Sequence, residues 1–298
     1  MITVTSLTKQ YGSRIAVDDL SFDVASGRVT GFVGPNGAGK STTMRMMVGL
    51  TRPDSGDTTY RGVHYSHMRH PARVVGTVLD ARSMHPGRTA RNHLAAAAAL
   101  ASLPARRVGE VLAEVGLESA ADQRTGGFSL GMRQRLALAG ALLGEPEVLL
   151  LDEPSNGLDP DGIRWLRNSL SAFADNGGTV FVSSHLIAEL AMFADDLIVV
   201  GAGKLLAAEP VATTLARGEA SVIVRTSQPA EFAQMLERHG IDGTVAGGQL
   251  SARGTTTAAV SQIAFDNRIR IIEITETRRS LEEILLDMTG ASAEFAAA

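Results

Sequence analysis

A lysine preceded by three closely spaced glycines constrains this chain more than any other feature. The run Gly34-Pro35-Asn36-Gly37-Ala38-Gly39-Lys40-Ser41-Thr42 follows the apolar stretch Val29–Val33 and opens a helical pattern over Thr42–Leu50. Glycine, four residues and then Gly-Lys-Ser, set between a strand and a helix, is the arrangement that cradles phosphate. Gly34, Gly37 and Gly39 let the backbone turn so that successive N–H groups point at anionic oxygens, where a helix dipole also favours negative charge. Lys40 can then reach the β- and γ-phosphates of a nucleotide, and the Ser41 hydroxyl can bind Mg2+. The chain has only two other lysines, Lys9 and Lys204, which weighs against a chance match. The alternative is a glycine-rich turn after a strand.

A second anchor lies downstream. Val148-Leu149-Leu150-Leu151-Asp152-Glu153-Pro154 reads as a buried strand ending in two carboxylates. A parallel strand delivers such residues to its carboxyl end, beside a phosphate loop. Asp152 is there a candidate ligand of Mg2+, directly or through water, and Glu153 a candidate general base for an attacking water. The competing reading is an acidic strand end ahead of a helix beginning at Asp159.

Apolar runs of strand length recur at Val29–Val33, Val74–Leu79, Val148–Leu151, Val180–Val182 and Leu197–Val200, with helical patterns between several of them. That alternation predicts an α/β core with a mainly parallel sheet. Two Ala/Leu-rich helices are expected over Thr89–Ser102 and Ala105–Val115, split at Leu103-Pro104, in a helical subdomain of about residues 88–145. The pattern restarts near Arg217-Gly218. Elements at Ser221–Val224, Pro229–Arg238, Gly243–Ala246, Gln249–Ala252, Thr256–Phe265, Arg270–Ile274 and Ser280–Met288 give a βαββαβ order plus one helix. This predicts a small α+β domain of ferredoxin-like type. The expected boundaries are 1–217, 218–290 and a frayed tail, 291–298.

Composition narrows the partners. The net charge of −4, with 32 acidic against 28 basic residues, gives no basic surplus of the kind nucleic-acid binders carry. Zero cysteines exclude disulfides and thiolate metal sites. No apolar run reaches the roughly 20 residues needed to cross a bilayer, and Met1–Thr5 lacks the make-up of a signal peptide. A membrane role therefore requires a partner chain.

Several further motifs fall in a telling order. Phe128-Ser129-Leu130-Gly131-Met132-Arg133-Gln134-Arg135 resembles the signature motif of ABC-type ATPases, usually LSGGQ. Ser155-Asn156-Gly157-Leu158-Asp159 resembles that family's D-loop, and Ser184-His185-Leu186 its switch histidine. Tyr11 matches the aromatic that stacks on adenine, and Asp80 stands where most members carry the Q-loop glutamine. The resemblance spans residues 2–215 and is closest to the branch serving drug, antibiotic-peptide and lipid-like exporters, of bacitracin, lantibiotic and daunorubicin type.

It implies a P-loop NTPase fold of the ABC nucleotide-binding type with an inserted helical subdomain. It also implies ATP hydrolysis with Mg2+ in a head-to-tail homodimer, where each ATP lies between one copy's phosphate loop and the other's Ser129 and Gly131. His185 would contact the γ-phosphate. An integral membrane permease would be driven from the cytoplasmic face of the membrane. Leu130 and Met132 replace the usual glycine and glutamine, which reads as a subfamily variant that keeps Ser129 and Gly131. Asp80, shorter than glutamine and anionic, is a candidate for placing Mg2+ or water, or it merely ends a strand. A non-transport ABC ATPase acting on ribosomes or DNA is the rival function, disfavoured by one set of motifs and mild acidity. His64, His67 and His70 are expected to be solvated rather than metal-binding, the final helix to be core packing, and Trp165 to pack the helix after the D-loop.

Overall fold

The computed structural model of the 298-residue chain describes residues 1–80, 84–184, 187–216, 220–278 and 281–290. The expected tail, 291–298, lies outside the described residues. Two compact units divide the chain, one built on Met1–Val211 and the other on Ala212–Asp287.

In the first unit β1 (Ile2–Tyr11) and β2 (Arg14–Val24) form an antiparallel hairpin joined by Gly12 and Ser13. Ile2, Val4 and Leu7 of β1 and Val17, Leu20, Phe22 and Val24 of β2 are buried, as expected for strands with one face on a core. β3 (Val29–Val33), buried at every position, runs through the phosphate loop into α1 (Lys40–Met47). The helix thus starts at the motif lysine and stops short of the expected Leu50. β4 (Ser55–Tyr60) and β5 (Val63–His64) complete an antiparallel sheet of order β2-β1-β4-β5.

The second sheet of this unit contains β6 (Val75–Val78), β7 (Val148–Leu151), β8 (Thr179–Ser184), β9 (Asp196–Gly201) and β10 (Lys204–Pro210). Its order is β10-β9-β3-β8-β7-β6, parallel throughout except for β10, which runs antiparallel to β9. β7 and β8 are buried along their whole length, which is why β7 and the Val180–Val182 centre of β8 read as apolar runs rather than alternating ones. Three aromatic rings knit the two sheets. The Phe22 centroid lies 5.7 Å from that of Phe32 and 5.6 Å from that of Phe181, and those two are 5.1 Å apart.

Between β6 and β7 the chain forms α2 (Ala90–Leu100), α3 (Arg106–Glu114) and α4 (Leu130–Leu142). Thr89 caps α2 by accepting from the Asn92 N–H, and Pro104 stands in the break before α3. Leu94 and Ala98, then Val108, Val111 and Leu112, then Leu136 and Ala139 are the buried faces of the three helices. α5 (Pro160–Asp175) follows β7, with Asp159 as its N-cap and Pro160 in its first turn. α6 (Ile187–Leu190) and α7 (Val211–Ala216) are short.

The second unit contains α7 from Ala212 onward, β11 (Ala220–Thr226), α8 (Pro229–Arg238), β12 (Gly243–Ala246), β13 (Gln249–Arg253), α9 (Thr257–Asp266), β14 (Ile271–Arg278) and, as far as Asp287, α10 (Leu281–Gly290). Its sheet is antiparallel with order β12-β13-β11-β14, the ferredoxin-like arrangement. Gly247 and Gly248 both take positive φ, 58° and 79°, in the two-residue turn between the paired Ala246 and Gln249. Only glycine-like residues form that turn cheaply. Val222, Val224, Phe232, Leu236, Leu250, Ala252 and Val260 form a core of this unit's own.

Candidate active site

The loop after β3 is shaped by close approach. A Cβ at Gly34 would fall 2.2 Å from the Val200 carbonyl oxygen on β9. Gly39 takes φ 99° as the N-cap of α1, and a Cβ there would meet the Ala16 carbonyl oxygen at 2.4 Å. Neither position admits a side chain without moving backbone. The Ala38 N–H donates to the Pro35 carbonyl at 3.2 Å, and the Thr43 N–H to that of Gly39 at 2.9 Å. Lys40 is buried, and its Nζ donates to the carbonyl oxygens of Gly34 at 2.7 Å and Pro35 at 3.3 Å. Burial pulls its pKa below the ordinary lysine range, partly countered by the charges of Glu153 and Asp152. Ser41 is exposed beside it and Thr42 partly buried.

The acidic pair arrives at the end of β7, next to the loop. Glu153 Oε1 lies 3.8 Å from Lys40 Nζ. Glu153 takes φ 49°, a left-handed conformation that costs a non-glycine residue free energy and gathers at functional sites. Ser183 on β8 bridges the pair: its hydroxyl donates to Asp152 Oδ1 at 2.6 Å and accepts from the Glu153 N–H at 2.9 Å. Sequence reading missed Ser183. The signal available was two serines closing a strand immediately before the motif histidine.

Asn36, Gly37, Gly39, Lys40, Ser41 and Thr42 line one open cleft with Tyr11, Arg14, Ala16, Glu153 and Asn156. Tyr11 is 52% exposed there. Lys9, ion-paired to Asp54 at 2.9 Å, sits 5.5 Å from the centroid of its ring. The fold therefore brings the phosphate loop, Tyr11 and Glu153 into one space. Asp80 does not line that space. It is exposed, two residues beyond Val78, whose partner in register is Leu151. Asp80 and Asp152 thus leave the same ends of adjacent parallel strands. His185 lies outside the described residues. Ser184, just before it, pairs in register with Val33, the residue preceding Gly34.

Ser129 and Gly131 are also not among the residues of the cleft. Ser129 is the N-cap of α4 and accepts from the Met132 N–H at 3.2 Å. Its neighbour Leu130 occupies the space beside the D-loop: a Cβ at Gly157 would meet Leu130 Cδ2 at 2.3 Å. Gly131 lies in turn near Leu158 Cδ2, at 3.7 Å from its would-be Cβ. The leucine in place of the usual glycine is thus a packing residue against Gly157. Trp165 on α5 is covered by the Arg135 guanidinium of α4, 4.1 Å from its ring centroid.

The donor set fits a hard cation shared with phosphate. One carboxylate and one hydroxyl suit Mg2+, which keeps waters and takes remaining oxygens from phosphates. No group of three His, Cys, Asp or Glu residues among the described residues could hold a metal unaided. The ring of His64 lies 5.4 Å from that of His67 and its Nε2 3.8 Å from Asp57 Oδ2. Among the described residues no helix is long and apolar enough to cross a membrane.

The ABC transporter family model matches residues 17–156, and a domain of unknown function (DUF8746) matches residues 220–282. The chain is 34% identical over 297 residues to an uncharacterized ABC transporter ATP-binding protein, YhcH, of Bacillus subtilis (strain 168), covering 99% of this chain and 97% of that one. It is 33% identical over 301 residues to the bacitracin transport ATP-binding protein BcrA of Bacillus licheniformis, covering 97% of each. Among solved structures, an ATP binding subunit of an ABC transporter superposes with a TM-score of 0.66 at 26% identity, over 73% of this chain and 92% of that one. The dimeric post-hydrolysis ATP-binding cassette MJ0796 shares the fold, with a TM-score of 0.65 at 23% identity over 71% and 99%. With relatives matching along nearly its whole length and a phosphate loop facing a strained glutamate, the chain belongs to the ABC transporter family as an ATP-binding, ATP-hydrolysing subunit.

Proposed function

We propose that this subunit powers export of an antibiotic-peptide, drug-like or lipid-like compound through a separate integral membrane permease, working as a homodimer at the cytoplasmic face of the membrane. The observation that carries this reading is a divided site. Lys40 and Glu153 stand 3.8 Å apart in the cleft of the phosphate loop, whereas Ser129 and Gly131 open a helix that does not line that cleft. A helix N-terminus favours anions, so a second copy placed head to tail would bring Ser129 and Gly131 to the γ-phosphate. The names of relatives, bacitracin transport and lantibiotic transport proteins, support the class of cargo.

Within the composite site each residue has a role. The backbone N–H groups of Gly34–Thr42, Pro35 excepted, and the Lys40 ammonium hold the β- and γ-phosphates, and Tyr11 offers its exposed face to adenine. Ser41 and Asp152 would hold Mg2+, with Asp80 a candidate for placing its water. When bound, the ion offsets charge on the phosphate oxygens. Glu153 accepts a proton from water as that water attacks phosphorus, and the bond to the ADP oxygen breaks. Ser183 fixes the Asp152 carboxylate and the Glu153 backbone, while His185 contacts the γ-phosphate and orients the water. ATP bridging two copies favours a closed dimer and hydrolysis removes that bridge, so the cycle does mechanical work through differential binding.

The test is extraction of the tagged chain from its native membranes. An integral membrane partner should copurify and raise its ATPase rate on reconstitution. Recovery only with ribosomes or DNA would overturn the transport reading.

A further inference from the structure

Arg14 has no part in the scheme above, yet it stands in the cleft. It opens β2 directly across the hairpin from Tyr11, with which it pairs in register. It lines the same cleft as the phosphate loop, and its Nη2 lies 3.4 Å from the Gly37 carbonyl oxygen. A Cβ at Gly37 would come within 3.0 Å of that nitrogen, so the guanidinium rests against the loop itself. Arg14 is exposed and makes no ion pair among the described residues. Lys9, the other cation near Tyr11, is already committed to Asp54. The Arg14 fork, held by one long hydrogen bond, keeps its remaining donors for another acceptor.

The covalent order of a nucleotide says what that acceptor is. Base, ribose, α-phosphate and then β- and γ-phosphates follow in sequence. With the base on Tyr11 and the terminal phosphates in the loop, the group between them is the ribose with its α-phosphate. From Arg14, beside Tyr11 and touching Gly37, we infer that its guanidinium binds the α-phosphate of ATP and of ADP. Arginine suits this role, since its planar fork matches phosphate oxygens and stays charged at any working pH. The contact would be indifferent to hydrolysis, because the α-phosphate is common to substrate and product. Arg14 would then hold the nucleotide in the cleft while Lys40 and Glu153 deal with the end that reacts.

This inference rests on the cleft being the nucleotide site with Tyr11 as base platform, and the experiment separates the two. Titration of the full chain with ATP, ADP and adenosine compares Arg14→Ala, Arg14→Lys, Tyr11→Ala and Lys40→Ala with the parent. Arg14→Ala should weaken ATP and ADP by the same factor, roughly tenfold for a charge-assisted contact, and leave adenosine and the nucleotide-free melting temperature unchanged. Arg14→Lys should recover much of the loss. Unchanged ATP and ADP affinity, an effect confined to ATP, equal weakening of adenosine, or a lowered melting temperature would each overturn the assignment. If Tyr11→Ala and Lys40→Ala are also without effect, the reading of the cleft fails. If they weaken binding and Arg14→Ala does not, only the role of Arg14 fails.

Discussion

Ser183 is the residue that most changes the picture of the site. Its hydroxyl, fully buried, is spent on Asp152 and on the N–H of the strained Glu153. Ser183→Ala should lower kcat roughly tenfold to a hundredfold, since a hydrogen bond to a charged group is worth about 1.5–3 kcal/mol. ATP affinity, set by the loop, should stay within about twofold of the parent, a split that steady-state kinetics with equilibrium titration would show. No spacing rule points to such a serine, because its partners lie about thirty residues away in the chain and meet it only across a strand pair. His93 is a second case. Its pKa is held below the ordinary histidine range by burial and then by the charge of Arg88, and its Nδ1 is buried without a hydrogen-bond partner. The unfolded chain takes up that proton more readily than the folded one, so stability is present above the unfolded pKa of about 6.5 and is lost as pH falls below it. His93→Gln should therefore narrow the gap between melting temperatures measured near neutrality and at mildly acidic pH.

Elements were legible where burial is complete on both faces. β7, the Val180–Val182 centre of β8 and Leu197–Val200 of β9 show as apolar runs, β3 as one interrupted by Thr30 and Gly31, and the loop after β3 shows through its glycines. The antiparallel sheet β2-β1-β4-β5 was not legible. β1 carries register shifts after Val4, Leu7 and Lys9, and Ser6 takes φ 46°, so its alternation slips out of phase. β4 offers only Ser-Gly-Asp-Thr-Thr before Tyr60, and β10 is exposed along much of its length. That unread sheet bears directly on the site, for β2 supplies Arg14 and the Ala16 carbonyl against which Gly39 is fitted. The fit can be tested at Gly34, where an added Cβ would strike the backbone of β9. Gly34→Ala should destabilise the fold by about 1–3 kcal/mol, as overpacking does. Gly12→Ala, with open space around its would-be Cβ, should cost only its backbone strain, about 1 kcal/mol. Thermal melts of the two variants give the comparison.

The two units each carry a core, and the second holds a four-stranded sheet whose elements follow the βαββαβ order read in the sequence. Residues 212–287 expressed alone should unfold in one cooperative transition, seen by circular dichroism in urea. A gradual, non-cooperative loss of signal would show that this core depends on the remainder of the chain. The larger unit has a divided site, with Lys40 and Glu153 in one cleft and Ser129 and Gly131 outside it. A second copy is needed only if ATP spans the two. Glu153→Gln keeps the shape of the side chain and removes the proposed base, so ATP should bind and persist. Sedimentation velocity of that variant should show a monomer alone or with ADP and a dimer with Mg2+ and ATP. A monomer under all three conditions, or ATP turnover at the parent rate, would contradict the composite site and the role of Glu153 within it.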